Sequence, residues 1–85
     1  MSKYSPLTQF LKSCGLARIE MKFSEIERII SSKLPSSAYD YRAWWGNGGH
    51  VQAISWLDAG YKVEQVDQKA KKVFFIAVPQ KQNDH

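Results

Sequence analysis

The chain has 85 residues, 44% hydrophobic and 13% aromatic, with 12 Lys and Arg against 8 Asp and Glu for a net charge of +4. That is one small domain, able to close a core without metal or disulfides and too short for a second. Nothing is long and apolar enough to span a bilayer, and the lone Cys14, with no signal-peptide-like apolar run before it, points to a reducing cytoplasm.

The expected division is a single α+β domain over residues 1–79 and a polar tail over 80–85. Ser5 and Pro6 read as N-cap and first residue of a helix whose apolar stripe is Leu7, Phe10, Leu11 and Cys14, with Gly15 as its stop. Cys14 is therefore read as core. Arg18 to Phe23 alternates polar with apolar, so Ile19, Met21 and Phe23 are predicted to share one face of a short strand.

Ser24 and Glu27 have the spacing of a capping box, ahead of a helix that buries Ile26, Ile29, Ile30 and Leu34 and stops at Pro35. Residues 36–43 read as a short helix or turn with Ser37 and Asp40 as a weaker cap pair. Three tryptophans then fall within thirteen residues, Trp44, Trp45 and Trp56, around Gly46, Gly48 and Gly49.

From His50 to Ala59 the spacing predicts a helix burying Ala53, Ile54 and Leu57, presenting Gln52 and Ser55 outward, and ending at Gly60. Residues 61–66 and 73–78 read as strands of a hairpin with Lys69, Lys71 and Lys72 near its tip. The expected architecture is winged helix-turn-helix-like α+β: three or four short helices, a C-terminal β-hairpin and a short extra strand. In that topology the last helix enters a major groove and the hairpin touches the backbone.

On this frame the candidate nucleic-acid-binding residues are Arg42, Trp44, Trp45, Asn47, His50, Gln52, Ser55, Lys62, Lys69, Lys71 and Lys72. Lysines at a hairpin tip meet phosphates and produce a salt-dependent affinity. Gln52 and Ser55 are the expected base-edge readers, and His50 or the amides of Gly48 and Gly49 meet phosphate at the helix start. Because Trp44 and Trp45 are adjacent, one of them is expected to be at least partly exposed, and a surface role is expected for the pair, in which an indole stacks on a base or fills a protein pocket. The helix at 50–59 has no Arg or Lys, which counts against groove reading.

No catalytic residue, metal ligand set or cofactor motif is read from the chain. His50 has no evident Cys, Ser or carboxylate partner nearby in sequence, and one cysteine with one histidine outside the tail does not make a metal site.

Phe23-Ser24-Glu25-Ile26-Glu27, Leu34-Pro35-Ser36-Ser37-Ala38, Trp44-Trp45-Gly46-Asn47 and Ser55-Trp56-Leu57-Asp58-Ala59-Gly60-Tyr61-Lys62-Val63, with Val73-Phe74-Phe75, together resemble a small prokaryotic and phage domain family of unknown function. Its pattern runs Phe-x-Glu-Ile-Glu, Leu-Pro-x-Ser-Ala, Trp-Trp-x-Asn and Ala-Trp-x-x-Ala-Gly-aromatic-x-Val, over about residues 4–78. The resemblance implies no activity or catalytic residue. The expected function is non-catalytic binding of nucleic acid, DNA ahead of RNA. The alternative is a protein-interaction module, such as a phage or mobile-element inhibitor or adaptor, docking through the Trp-rich patch.

Overall fold

The computed structural model describes residues 3–79; the expected polar tail, 80–85, lies outside the described residues. Leu7 and Leu11, one turn apart, anchor helix α1 (Ser5–Cys14) in the core, and Gly15 ends it at φ 67°, a left-handed conformation that costs glycine little. The N-cap is Tyr4 rather than Ser5, Phe10 is exposed, and Cys14 is half-buried.

Strand β1 (Arg18–Lys22) alternates as expected, with Ile19 and Met21 buried and their charged neighbours wet. Phe23 already belongs to helix α2 (Phe23–Ile30), which buries Phe23, Ile26 and Ile30. The glutamate that reaches back to the helix start is Glu25, accepting from the Lys22 N–H at 2.7 Å, not Glu27. Ser31 closes α2 in the left-handed conformation, φ 56°, well ahead of Pro35.

A short helix α3 (Ser36–Asp40) and a 3-10 turn (Arg42–Trp45) follow, then helix α4 (Val51–Asp58). Neither Ser37 nor any other side chain caps α3, whose N-cap is Pro35. Strands β2 (Tyr61–Asp67) and β3 (Lys72–Ala77) form the hairpin. The sheet is antiparallel in the order β1-β3-β2, so the short first strand pairs with the last. Four helices around a three-stranded sheet with this order make a winged-helix-like α+β domain.

One sheet face, carrying Ile19, Met21, Tyr61, Val66, Val73 and Phe75, turns to the helices. A register shift between Val63 and Gln65 inserts one extra residue, which brings both Val63 and Val66 to the inner side. The outer face is wet and laced by ion pairs, Arg18–Glu64 at 2.8 Å and Lys72–Glu20 at 2.9 Å. At the centre of the core Trp45 is sandwiched between Phe23, 4.9 Å away, and Trp56, 5.8 Å away, with both ring pairs nearly parallel. Trp56 in turn leans on Phe75.

Candidate nucleic-acid interface

The aromatic corner folds inward. In a 3-10 turn the rings of Trp44 and Trp45 meet edge to face, 4.7 Å apart, and of the two only Trp44 is partly exposed, as their adjacency predicts. Trp45 is 2% exposed and its indole N–H donates to the Ala38 carbonyl at 2.8 Å; Trp44 is half-buried, edge-on to Tyr4. This corrects the expected surface role: Trp45 and Trp56 are core residues, and the Trp-rich stretch offers no exposed indole patch.

Asn47 is at the surface, yet its amide makes three hydrogen bonds within the chain. Its Nδ2 donates to the Val63 carbonyl at 3.0 Å, while Oδ1 accepts from the Val63 N–H at 2.8 Å and from the Trp56 indole at 2.9 Å. The side chain thus covers part of the edge of β2 and ties it to α4, a structural role in place of the expected ligand contact.

Helix α4 buries Ala53 as expected but is otherwise rotated from the expectation. Ala53, Ser55 and Trp56 are buried, whereas Val51, Ile54 and Leu57 are 58%, 52% and 39% exposed. The bulk of Trp56 sets the rotation, and Ile54, two positions away or about 200° around the helix, is carried to the far side. Ser55 is small enough for α1 to approach, and its carbonyl accepts the Thr8 hydroxyl at 2.8 Å. Gln52, half-buried, donates to the Trp44 carbonyl at 3.0 Å. Neither Gln52 nor Ser55 is placed as a base-edge reader. His50 remains exposed at the helix start.

The cations fare better. The segment from α3 through Asn47 runs beside β2: Gln68 donates to the Ala38 carbonyl at 3.1 Å at one end, and Asn47 holds Val63 at the other. Between them Arg42 lines a shallow recess with Glu64, Gln65 and Val66. Exposed Lys69 and Lys71 sit in the hairpin turn, where Asp67 accepts the Ala70 N–H at 3.0 Å and the Lys71 ammonium lies 5.9 Å from the Tyr39 ring.

Arg42 thus lies beside the β2 edge, and Lys69 and Lys71 lie at the hairpin-turn end of the sheet, where the Lys71 carbonyl accepts the Phe23 N–H at 2.9 Å. Lys62 is exposed at the foot of β2, across from Ile76 on the outer face. Lys72 is excluded from the free set, because Glu20 holds it and keeps its ammonium pKa above the ordinary lysine value.

Two groups near this region depart from the sequence reading, one not singled out there and one given another partner. Tyr41 is 65% exposed beside Arg42; the turn that follows α3 leaves its ring outside, a consequence of where the helix breaks. Glu27 is the other. It accepts from the Leu34 N–H at 2.9 Å and the Tyr39 hydroxyl at 2.8 Å. Burial pushes its carboxyl up, but the Leu34 and Tyr39 hydrogen bonds and the Lys33 charge outweigh that and hold it below the ordinary value.

Tyr39 is pushed up to about 12 by burial and by its bond to the Glu27 carboxylate. This network fixes the chain between α2 and α3; it is structural. Among the described residues no group of three His, Cys, Asp or Glu could hold a metal ion, and no helix is long and apolar enough to cross a membrane.

The family model that matches this chain, over residues 4–78, is described as a domain of unknown function (DUF7662). No curated protein and no solved structure matches the chain.

Proposed function

The chain belongs to the DUF7662 family of domains of unknown function, and on that premise we propose that it is a non-catalytic nucleic-acid-binding domain that grips a duplex backbone, DNA in preference to RNA, along the β2 border. One observation supports the reading: the α3-to-Asn47 segment, which carries exposed Tyr41 and Arg42, runs beside β2, and the turn that follows β2 carries exposed Lys69 and Lys71. From Lys62 to the turn this border runs about 17 Å at 3.3 Å per residue, enough to follow several phosphates of one strand. Lys71 adds support, since it holds a left-handed backbone conformation, φ 58°, that costs a side chain free energy and yet carries a charge rather than a glycine.

Phosphate contacts position a protein on a duplex without reading its sequence. With α4 presenting aliphatic side chains and no Lys or Arg, base readout is not part of this proposal, and the domain acts as a sequence-tolerant backbone clamp in the cytoplasm. The test is fluorescence anisotropy with several unrelated duplexes of about 20 base pairs, titrated between about 50 and 200 mM salt. Lys69→Ala with Lys71→Ala should weaken every duplex alike and reduce the slope of log affinity against log salt by about two. Absence of binding to both DNA and RNA at about 50 mM salt would remove the proposal.

The protein-docking reading loses its anchor at the tryptophans. It keeps one specific observation in its favour, the apolar face of α4.

A further inference from the structure

Val51, Ile54 and Leu57 form an exposed aliphatic row along α4, bordered by exposed His50 at one end and exposed Asp58 at the other. Burial of such a row is worth about 25 cal/mol per Å² removed from water, and phosphate is the least suitable partner for it. The order of the side chains is itself informative. About Ile54 the row is self-complementary when reversed: Val51 falls opposite Leu57 and His50 opposite Asp58.

We propose that α4 is a self-association surface on which a second copy of this chain packs antiparallel, its two-fold axis passing near Ile54. A two-fold interface uses the same patch on both copies, so residue i meets j and j meets i. Here that operation matches aliphatic with aliphatic and an imidazole N–H donor with a carboxylate, twice.

Electrostatics selects the antiparallel arrangement over the parallel one. Asp58 is the last residue of its own helix, where the helix dipole disfavours a carboxylate; the partner helix, reversed, brings its positive N-terminal end to the same place. A parallel pairing would set Asp58 against Asp58. Val51, Ile54 and Asp58 themselves form one wall of a groove of about 180 Å³, faced by Ser5 and Thr8 of α1, which gives the partner's aliphatic side chains a recess to enter. Three aliphatic residues per copy make an interface below the standard size, so the dimer is weak and transient. The inference is independent of nucleic-acid binding and stands or falls by itself.

Sedimentation velocity of the full chain from about 10 μM to 1 mM decides it. The wild type should pass from monomer to dimer across that range, and Ile54→Glu should stay monomeric throughout with an unchanged unfolding midpoint, because Ile54 is exposed. His50→Glu should weaken the dimer about tenfold by facing Asp58 with a like charge. His50→Glu combined with Asp58→Lys should restore it to within about threefold. A wild type that is monomeric at about 1 mM, or an Ile54→Glu chain that dimerises as before, overturns the proposal. Loss of the dimer in Ile54→Glu with no response to either charge change overturns the antiparallel pairing.

Discussion

Asn47 and Val63 pair as residues of neighbouring strands do: the Asn47 amide gives its Nδ2 hydrogen to the Val63 carbonyl at 3.0 Å and takes the Val63 N–H on Oδ1 at 2.8 Å. The same oxygen holds the Trp56 indole N–H at 2.9 Å. One side chain therefore joins the strand border, the turn after the tryptophans and the buried face of α4. Asn47→Ala leaves two donors and a carbonyl without their partner and should cost about 2–4 kcal/mol. Asn47→Asp, which keeps the shape but faces the Val63 carbonyl with a second acceptor, should also destabilise. Urea unfolding followed by tryptophan fluorescence measures both, and an Asn47→Asp chain as stable as wild type would contradict the pairing.

Trp45 and Tyr41 lie four residues apart and should respond oppositely. Trp45 stacks between Phe23 and Trp56, so Trp45→Ala removes the middle of the core and should cost about 3–5 kcal/mol. Tyr41 is exposed, so Tyr41→Ala should leave stability within about 0.5 kcal/mol while weakening the proposed nucleic-acid binding, where its hydroxyl would meet phosphate. Thermal melts with anisotropy titrations of the same two variants check this. Tyr41→Ala binding like wild type would take that ring out of the proposed surface.

Local chemistry made much of the fold legible. Alternation over Arg18–Lys22, the glycine stops at Gly15 and Gly60, and the lysine-rich turn between two β-branched and aromatic runs each follow from a few adjacent residues, and together they specify the winged-helix-like order. What was not legible depends on contacts far apart in sequence. Trp45 reaches the Ala38 carbonyl and Asn47 reaches Val63, so the tryptophan corner looks like a surface until the hairpin is laid beside it. On α4 four aliphatic or aromatic side chains compete for one buried face. Weighting Ile54 and Leu57 above Trp56 rotated the helix the wrong way, whereas the largest ring wins because it has most area to bury. Glu27 was read as a local cap because its spacing from Ser24 suits one; its partners, Leu34 and Tyr39, lie downstream. Arg42, Lys69 and Lys71 remained available because nothing in the described core competes for an exposed cation.

The Glu27–Tyr39 bond gives stability a defined pH window. The Tyr39 hydroxyl is raised from 10.0 to about 12 in the folded chain, so its contribution is fully present below the ordinary value and is lost as pH rises toward 12. The Glu27 carboxyl is lowered from 4.5, so its contribution is present above that value and is lost as pH falls. Both are intact between 4.5 and 10.0. Tyr39→Phe should cost about 1–2 kcal/mol at neutral pH, and the difference from wild type should shrink above pH 10. Urea midpoints of the two proteins at several pH values test it; a constant difference up to pH 11 would show that the bond does not carry the alkaline dependence.

Lys71 is where stability and the proposed binding should pull apart. Its φ of 58° is a conformation that glycine adopts without steric cost and lysine does not. Lys71→Gly should therefore raise stability by up to about 1 kcal/mol, the relieved left-handed strain less the larger entropy that glycine loses on folding, although it also removes the ammonium beside the Tyr39 ring. The same change deletes a cation from the proposed duplex-binding surface, so affinity should fall and the salt slope should drop by about one. Lys72→Ala makes the control. Its ammonium is held by Glu20 at 2.9 Å, so its loss should weaken binding less than loss of Lys71, despite being one residue away and of the same charge. Equal losses of affinity for the two lysines would mean that net charge, and not the placement of Lys71 in the turn, governs binding.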